Sequence, residues 1–122
     1  MIKVSSILIG VKDLNISKSF YENILGREFI EFRPPYSLAV QSGIEFNIEE
    51  DAEYRNKDWA QIYIGGRKQV AFEVSDLEAF INDLKINNIK IIQGIEVKQW
   101  GWKEAIIADI DGNEFIIEQK SN

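Results

Sequence analysis

Carboxylates are the most numerous reactive side chains in this chain, and in two segments a pair of them brackets a set spaced by two: Glu45, Asn47 and Glu49 in one, Glu114, Ile116 and Glu118 in the other. A period of two places each set on one face of a strand. Glu73 and Glu104 add to them, and the three tryptophans are Trp59, Trp100 and Trp102. Aligned carboxylates can attract an organic cation, hold a hard ion such as Mg²⁺ or Mn²⁺, or act as a base if their pKa is raised. The chain has no histidine and no cysteine. Disulfides, zinc fingers, His-activated nucleophiles and His-ligated metals are thereby excluded. Any general base must be a shifted Glu, Asp, Lys or Tyr.

The 122 residues include 20 acidic and 14 basic side chains, a formal charge of 14 − 20 = −6, with 45% apolar and 28% charged residues. That composition predicts one soluble globular domain with a core of its own. The negative balance disfavours nucleic acid as a partner. No apolar run approaches the roughly 18 residues of a membrane span. The opening Met1 to Val11 contains two serines and lacks a small-residue cleavage pattern, so it is expected to be a strand rather than a signal sequence, in a cytoplasmic protein.

The elements that position these residues come from an internal repeat. A shift of 63 aligns Ile7 to Leu14 with Val70 to Leu77, both running from a strand into Asp-Leu. A shift of 69 aligns Ser42 to Glu49 with Asp111 to Glu118, matching Gly, Glu, Phe, Ile and Glu identically. The difference, 69 − 63 = 6, is expected as an insertion around Gln93 to Trp100.

Each half reads as strand, helix and three strands. In the first, a strand over 2–11 leads to Asp13 as N-cap of a helix whose apolar face is Ile16, Phe20, Ile24 and Leu25, stopped by Gly26. Strands follow at about 27–32, 36–41 and 44–49, separated by Pro34-Pro35 and Ser42-Gly43. In the second, a strand over 68–74 precedes a helix capped by Ser75 or Asp76, with Leu77, Phe80, Ile81 and Leu84 inward. Strands at about 89–93, 103–109 and 113–119 complete it. The halves, about 1–50 and 59–122, are joined by a polar linker over about 51–58, within one domain. Alternation puts Ile7, Ile9, Val11, Phe46, Ile48, Phe72, Phe115 and Ile117 on the helix side. Glu45, Asn47, Glu49, Glu73, Ile116 and Glu118 fall on the other, a mixed face for water or ligand, with Glu49, Glu73 and Glu118 expected to be solvated.

Val11-Lys12-Asp13-Leu14 with Phe20-Tyr21 and Leu25-Gly26, then Phe72 to Leu77, Trp100-Gly101 and Asp109 to Asn113, resembles the vicinal oxygen chelate superfamily over nearly the whole chain. The superfamily includes glyoxalase I, extradiol dioxygenases and bleomycin-resistance proteins. The resemblance implies an α+β fold of tandem βαβββ modules forming an open curved half-barrel sheet with helices on the convex face, as a homodimer. Metal-dependent members place a His on the first strand of each module and a Glu on the last. Those positions fall here on Ser6, Gln69, Asn47 and Ile116. Three neutral side chains and one alkyl group are poor ligands for a divalent cation. The expected protein is therefore metal-independent and without a catalytic residue, binding or sequestering a small cationic or aromatic molecule as bleomycin-resistance proteins do. Phe32, Tyr36, Glu45, Asn47, Trp59, Trp100, Trp102, Glu104 and Glu118 are its candidate ligand-binding residues. The alternative is a lyase, isomerase or dioxygenase of the glyoxalase type that recruits Glu49, Glu73 or Glu118 to hold Mg²⁺ or Mn²⁺.

Overall fold

The computed structural model describes residues 2–33, 37–42, 44–50 and 63–120, with side chains over 2–30, 44–50 and 63–120. The chain divides into two compact units, Met1–Ile64 and Gly65–Asn122. The first contains β1 (Ser6–Val11), α1 (Leu14–Leu25), β2 (Ile30–Arg33), β3 (Ser37–Ser42) and β4 (Ile44–Glu50); the second contains β5 (Gly66–Glu73), α2 (Leu77–Ile86), β6 (Ile91–Val97), β7 (Lys103–Ala108) and β8 (Asn113–Gln119). Each has a mixed four-stranded sheet, in the orders β1-β4-β3-β2 and β5-β8-β7-β6. The last strand of each unit lies parallel to its first strand and antiparallel to the strand before it. The α+β class and the twice-repeated βαβββ pattern expected from the sequence are what the structure has.

The helices start where short polar side chains catch free N–H groups. The carboxylate of Asp13 accepts from the Ile16 amide at 3.0 Å, and that of Asp76 from Ala79 at 3.1 Å, which decides between Ser75 and Asp76. Gly26 ends α1 at φ 65°, its N–H bonded to the Glu22 carbonyl. Both helices are also tied to the last strand of their own unit. Glu50 accepts from the Leu14 amide at 3.1 Å and Gln119 from the Leu77 amide at 2.9 Å. Residues 50 and 119 are counterparts under the shift of 69, so one device is used twice.

The α1 face differs from the expected one. Leu14, Ser17 and Tyr21 are its buried residues, whereas Ile16 is 57% exposed. The Tyr21 ring lies 5.4 Å from that of Phe46 and 6.4 Å from that of Phe29. Those rings and the Glu50 tie fix the rotation of the helix, and the apolar stripe through Ile16 is turned outward. In the second unit Leu77, Ile81 and Leu84 pack on the face bearing Ala105, Ile107, Phe115 and Ile117, all buried. The first strand begins at Ser6 rather than residue 2.

The six extra residues are also distributed differently. Ser37 pairs with Glu49, and Glu104 pairs with Glu118. Glu49 and Glu118 are counterparts, so Ser37 corresponds to Glu104, a shift of 104 − 37 = 67. Four extra residues (67 − 63) therefore precede this point and two (69 − 67) lengthen the final turn. β6 runs on to Val97 through two register shifts where a loop was expected, and a short turn then leads into β7.

Candidate functional site

The face of the second sheet opposite α2 carries a row of four glutamates. Glu73 on β5 pairs with Glu118 on β8, Glu118 with Glu104 on β7, and Glu104 with Glu96 on β6. The neighbouring row is apolar, with Ala71, Ile116 and Ile106 in register. Alternation continues the acidic end to Trp102, two residues before Glu104, and to Lys120, two residues after Glu118. The Lys120 ammonium lies 5.1 Å from the Trp102 ring centroid and 3.5 Å from a Glu73 oxygen. Lys98 pairs with Glu96 at 3.2 Å, while Lys103 points to the helix side and pairs with Glu78 at 2.9 Å. Glu104 and Glu118 are half-buried and have no ion-pair partner among the described residues.

On the first sheet, Glu45, Asn47 and Glu49 share one face of the inner strand β4. Asn47 and Glu49 have no exposed surface, contrary to the solvated face expected for Glu49, and Glu45 is half-buried. The burial of the β4 face opposite α1 is a tertiary effect that alternation does not encode. Asn47 Nδ2 donates to the Ile7 carbonyl at 3.5 Å and to Glu45 Oε1 at 3.4 Å, both at the long limit of a hydrogen bond. Among the described residues its Oδ1 atom has no hydrogen-bond partner.

Of the expected binding residues, Trp102, Glu104 and Glu118 are thus brought together in the second unit, and Glu45 and Asn47 in the first. Trp100 is set apart in the turn between β6 and β7, 60% exposed, where Gly101 at φ 90° lets its amide bond the Lys98 carbonyl at 2.9 Å. Phe32 contributes backbone to β2 and its side chain lies outside the described residues, as do Tyr36 and Trp59. Lys120 and Glu96 were missed. Lys120 extends the Glu114, Ile116, Glu118 alternation by one step, which is the signal that would have found it.

A second polar cluster holds the final turn. Asp109, 6% exposed, accepts through Oδ1 from the amides of Asp111 and Asn113, each at 2.9 Å, and through Oδ2 from Asn113 Nδ2 at 2.7 Å. Asn113 Oδ1 in turn accepts from the Gly65 amide at 2.7 Å. The hairpin turn is therefore a clamp on the start of β5. Burial lowers the pKa of nearby Lys68 below the usual lysine value, with the charge of Asp109 opposing the shift.

A family model described as a glyoxalase-like domain matches residues 4–121. The chain belongs to that family. Solved structures agree with the assignment. The glyoxalase-like chain superposes on a member of the glyoxalase/bleomycin resistance protein/dioxygenase superfamily from Sphaerobacter thermophilus with TM-score 0.81 at 20% identity, covering 98% of both chains. A family enzyme from Burkholderia phytofirmans gives 0.79 at 19%, covering 97% of this chain and 98% of that one. A protein of unknown function from Agrobacterium tumefaciens gives 0.75 at 26%, covering 99% and 95%. No curated protein matches the chain.

The positions at which the superfamily resemblance places metal ligands do not fit a divalent cation in this glyoxalase-like domain. Ile116 has no donor atom, and Ser6 and Asn47 are neutral. Gln69 stands at φ 57° inside a bulge of β5, where three residues, 68–70, stand opposite residue 115 alone. The bulge displaces it, so the register counterpart of Ser6 is Arg67: Ser6 pairs with Glu45, and Arg67 with Glu114. The Arg67 guanidinium lies 3.0 Å from Glu114, placing a fixed cation where a metal ligand was sought. Among the described residues no three acidic side chains are grouped to hold an ion.

Proposed function

We propose that this glyoxalase-like domain binds and sequesters a small organic cation without a metal, as a cytoplasmic homodimer with no nucleic-acid or membrane partner. The observation that carries the proposal is the Glu104–Glu118 pair beside Trp102. Like charges directly opposite each other on a sheet are unfavourable, and a bound cation removes that cost. The apolar row of Ile106 and Ile116 supports an aromatic or alkyl body for the same ligand, and the Trp102 ring adds a cation–π face. The alternative built on Mg²⁺ or Mn²⁺ loses support at Glu73, whose carboxylate already pairs with Lys120.

Calorimetric titration of the EDTA-treated chain with benzyltrimethylammonium tests the reading. The expected result is saturable binding, one cation per chain, unchanged by added Mg²⁺ or Mn²⁺. Binding that appears only after either ion is restored supports the metal-dependent alternative instead.

A further inference from the structure

One cation already sits on the acidic face of the second unit, and it belongs to the chain. The Lys120 ammonium lies 5.1 Å from the Trp102 ring centroid and 3.5 Å from a Glu73 oxygen, so it covers the aromatic face that an organic cation would use. Its hold there is loose. The Lys120 and Glu73 side chains are 46% and 57% exposed, and in water an ion pair or a cation–π contact contributes little. The last paired residue of β8 is Gln119, opposite Lys103, so the lysine is carried on main chain one residue beyond the ladder. Glu104 and Glu118, next along the same face, have no ion-pair partner among the described residues and remain for a second cation.

We propose that Lys120 is a tethered competitor: in the ligand-free chain its ammonium covers the Trp102 ring, and an organic cation binds by displacing it, with the incoming charge towards Glu104 and Glu118. This rests on the cation-binding reading above and adds the residue that regulates it. An ammonium attached two residues from Glu118 faces the ring at a high effective concentration, which any free ligand must overcome. The displaced lysine keeps Glu73, so neither charge is stranded. The cost of displacement is the same for every ligand, which makes Lys120 a threshold. A cation that meets the ring no better than an alkylammonium stays off, whereas one with a larger apolar or aromatic body gains the contact with Ile106 and Ile116 that lets it pass.

The test compares the wild type with Lys120→Gln and with Lys85→Gln, which removes the same charge from the last turn of α2. Benzyltrimethylammonium is titrated calorimetrically into each, and the lysine side-chain protons of the wild type are followed by NMR. Lys120→Gln is expected to bind about threefold more tightly or better, the scale of one exposed cation–π contact and one exposed ion pair given up together, with Lys85→Gln within about twofold of wild type. In the ligand-free wild type the Trp102 ring shifts the Lys120 ε-methylene protons upfield, and saturating ligand returns them to the ordinary lysine position. An unchanged or weaker affinity in Lys120→Gln, or an equal gain in Lys85→Gln, overturns the inference and leaves the cation-binding reading standing. An upfield shift that is absent from the start, or that persists at saturation, overturns it as well and needs no variant to fold. Binding by neither the wild type nor Lys120→Gln defeats the cation-binding reading and this inference with it.

Discussion

Glu104 and Glu118 stand directly opposite each other on β7 and β8, half-buried and with no cation paired to either among the described residues. Facing carboxylates are a liability that a sheet built for stability alone would not retain.

Replacing one member of that pair should separate stability from binding. Glu118→Gln is expected to raise the unfolding free energy by about 0.2–1 kcal/mol at low salt, less at high salt, as repulsion across the strands is lost. The same substitution weakens benzyltrimethylammonium binding several-fold. Urea denaturation and calorimetry measure the two effects. A variant that is destabilised, or that binds as well as wild type, contradicts the role assigned to the pair.

Asp109 is expected to behave as a structural residue. Its carboxylate accepts three hydrogen bonds in a buried turn, and its removal leaves the Asn113 side chain short of a partner. Asp109→Ala should therefore cost about 2–4 kcal/mol, read as a lower urea midpoint at unchanged m-value. Ligand affinity of the remaining folded protein should not change.

Gln69 holds a backbone conformation, φ 57°, that side chains with a Cβ adopt at a cost. Gln69→Gly should stabilise the chain by up to about 1 kcal/mol, offset in part by the greater freedom of glycine in the unfolded state. Melting temperature is the readout. A clear loss of stability would mean that the Gln69 side chain makes an interaction worth more than the strain.

The repeat, the helix starts and the last two strands were legible in the sequence because their signals are local: Asp13 and Asp76 cap by reaching three residues along the chain, and Gly26 stops a helix by itself. The rotation of α1 was not legible, since apolar side chains at 14, 16, 20, 21, 24 and 25 surround the helix and only packing against Phe46 and Phe29 selects Tyr21 over Ile16. Alternation placed Glu73 and Glu118 on a common type of face, and Glu104 came in only as a candidate binding residue. That they and Glu96 form one row depends on pairings between residues 73, 96, 104 and 118 and on bulges in β5 and β6, which no local pattern specifies. The same bulge in β5 is why the position implied by the resemblance holds Gln69 while the register leads to Arg67. Asp109 to Asn113 entered only as part of the family resemblance, and nothing local in that stretch says that the Asp109 carboxylate is buried.

Native mass spectrometry of the purified chain, before and after addition of benzyltrimethylammonium, measures metal content, ligand stoichiometry and oligomeric state together. The account predicts a dimer free of divalent metal that takes up one organic cation per chain. One tightly held divalent metal ion per chain, with no cation uptake in its absence, would contradict it.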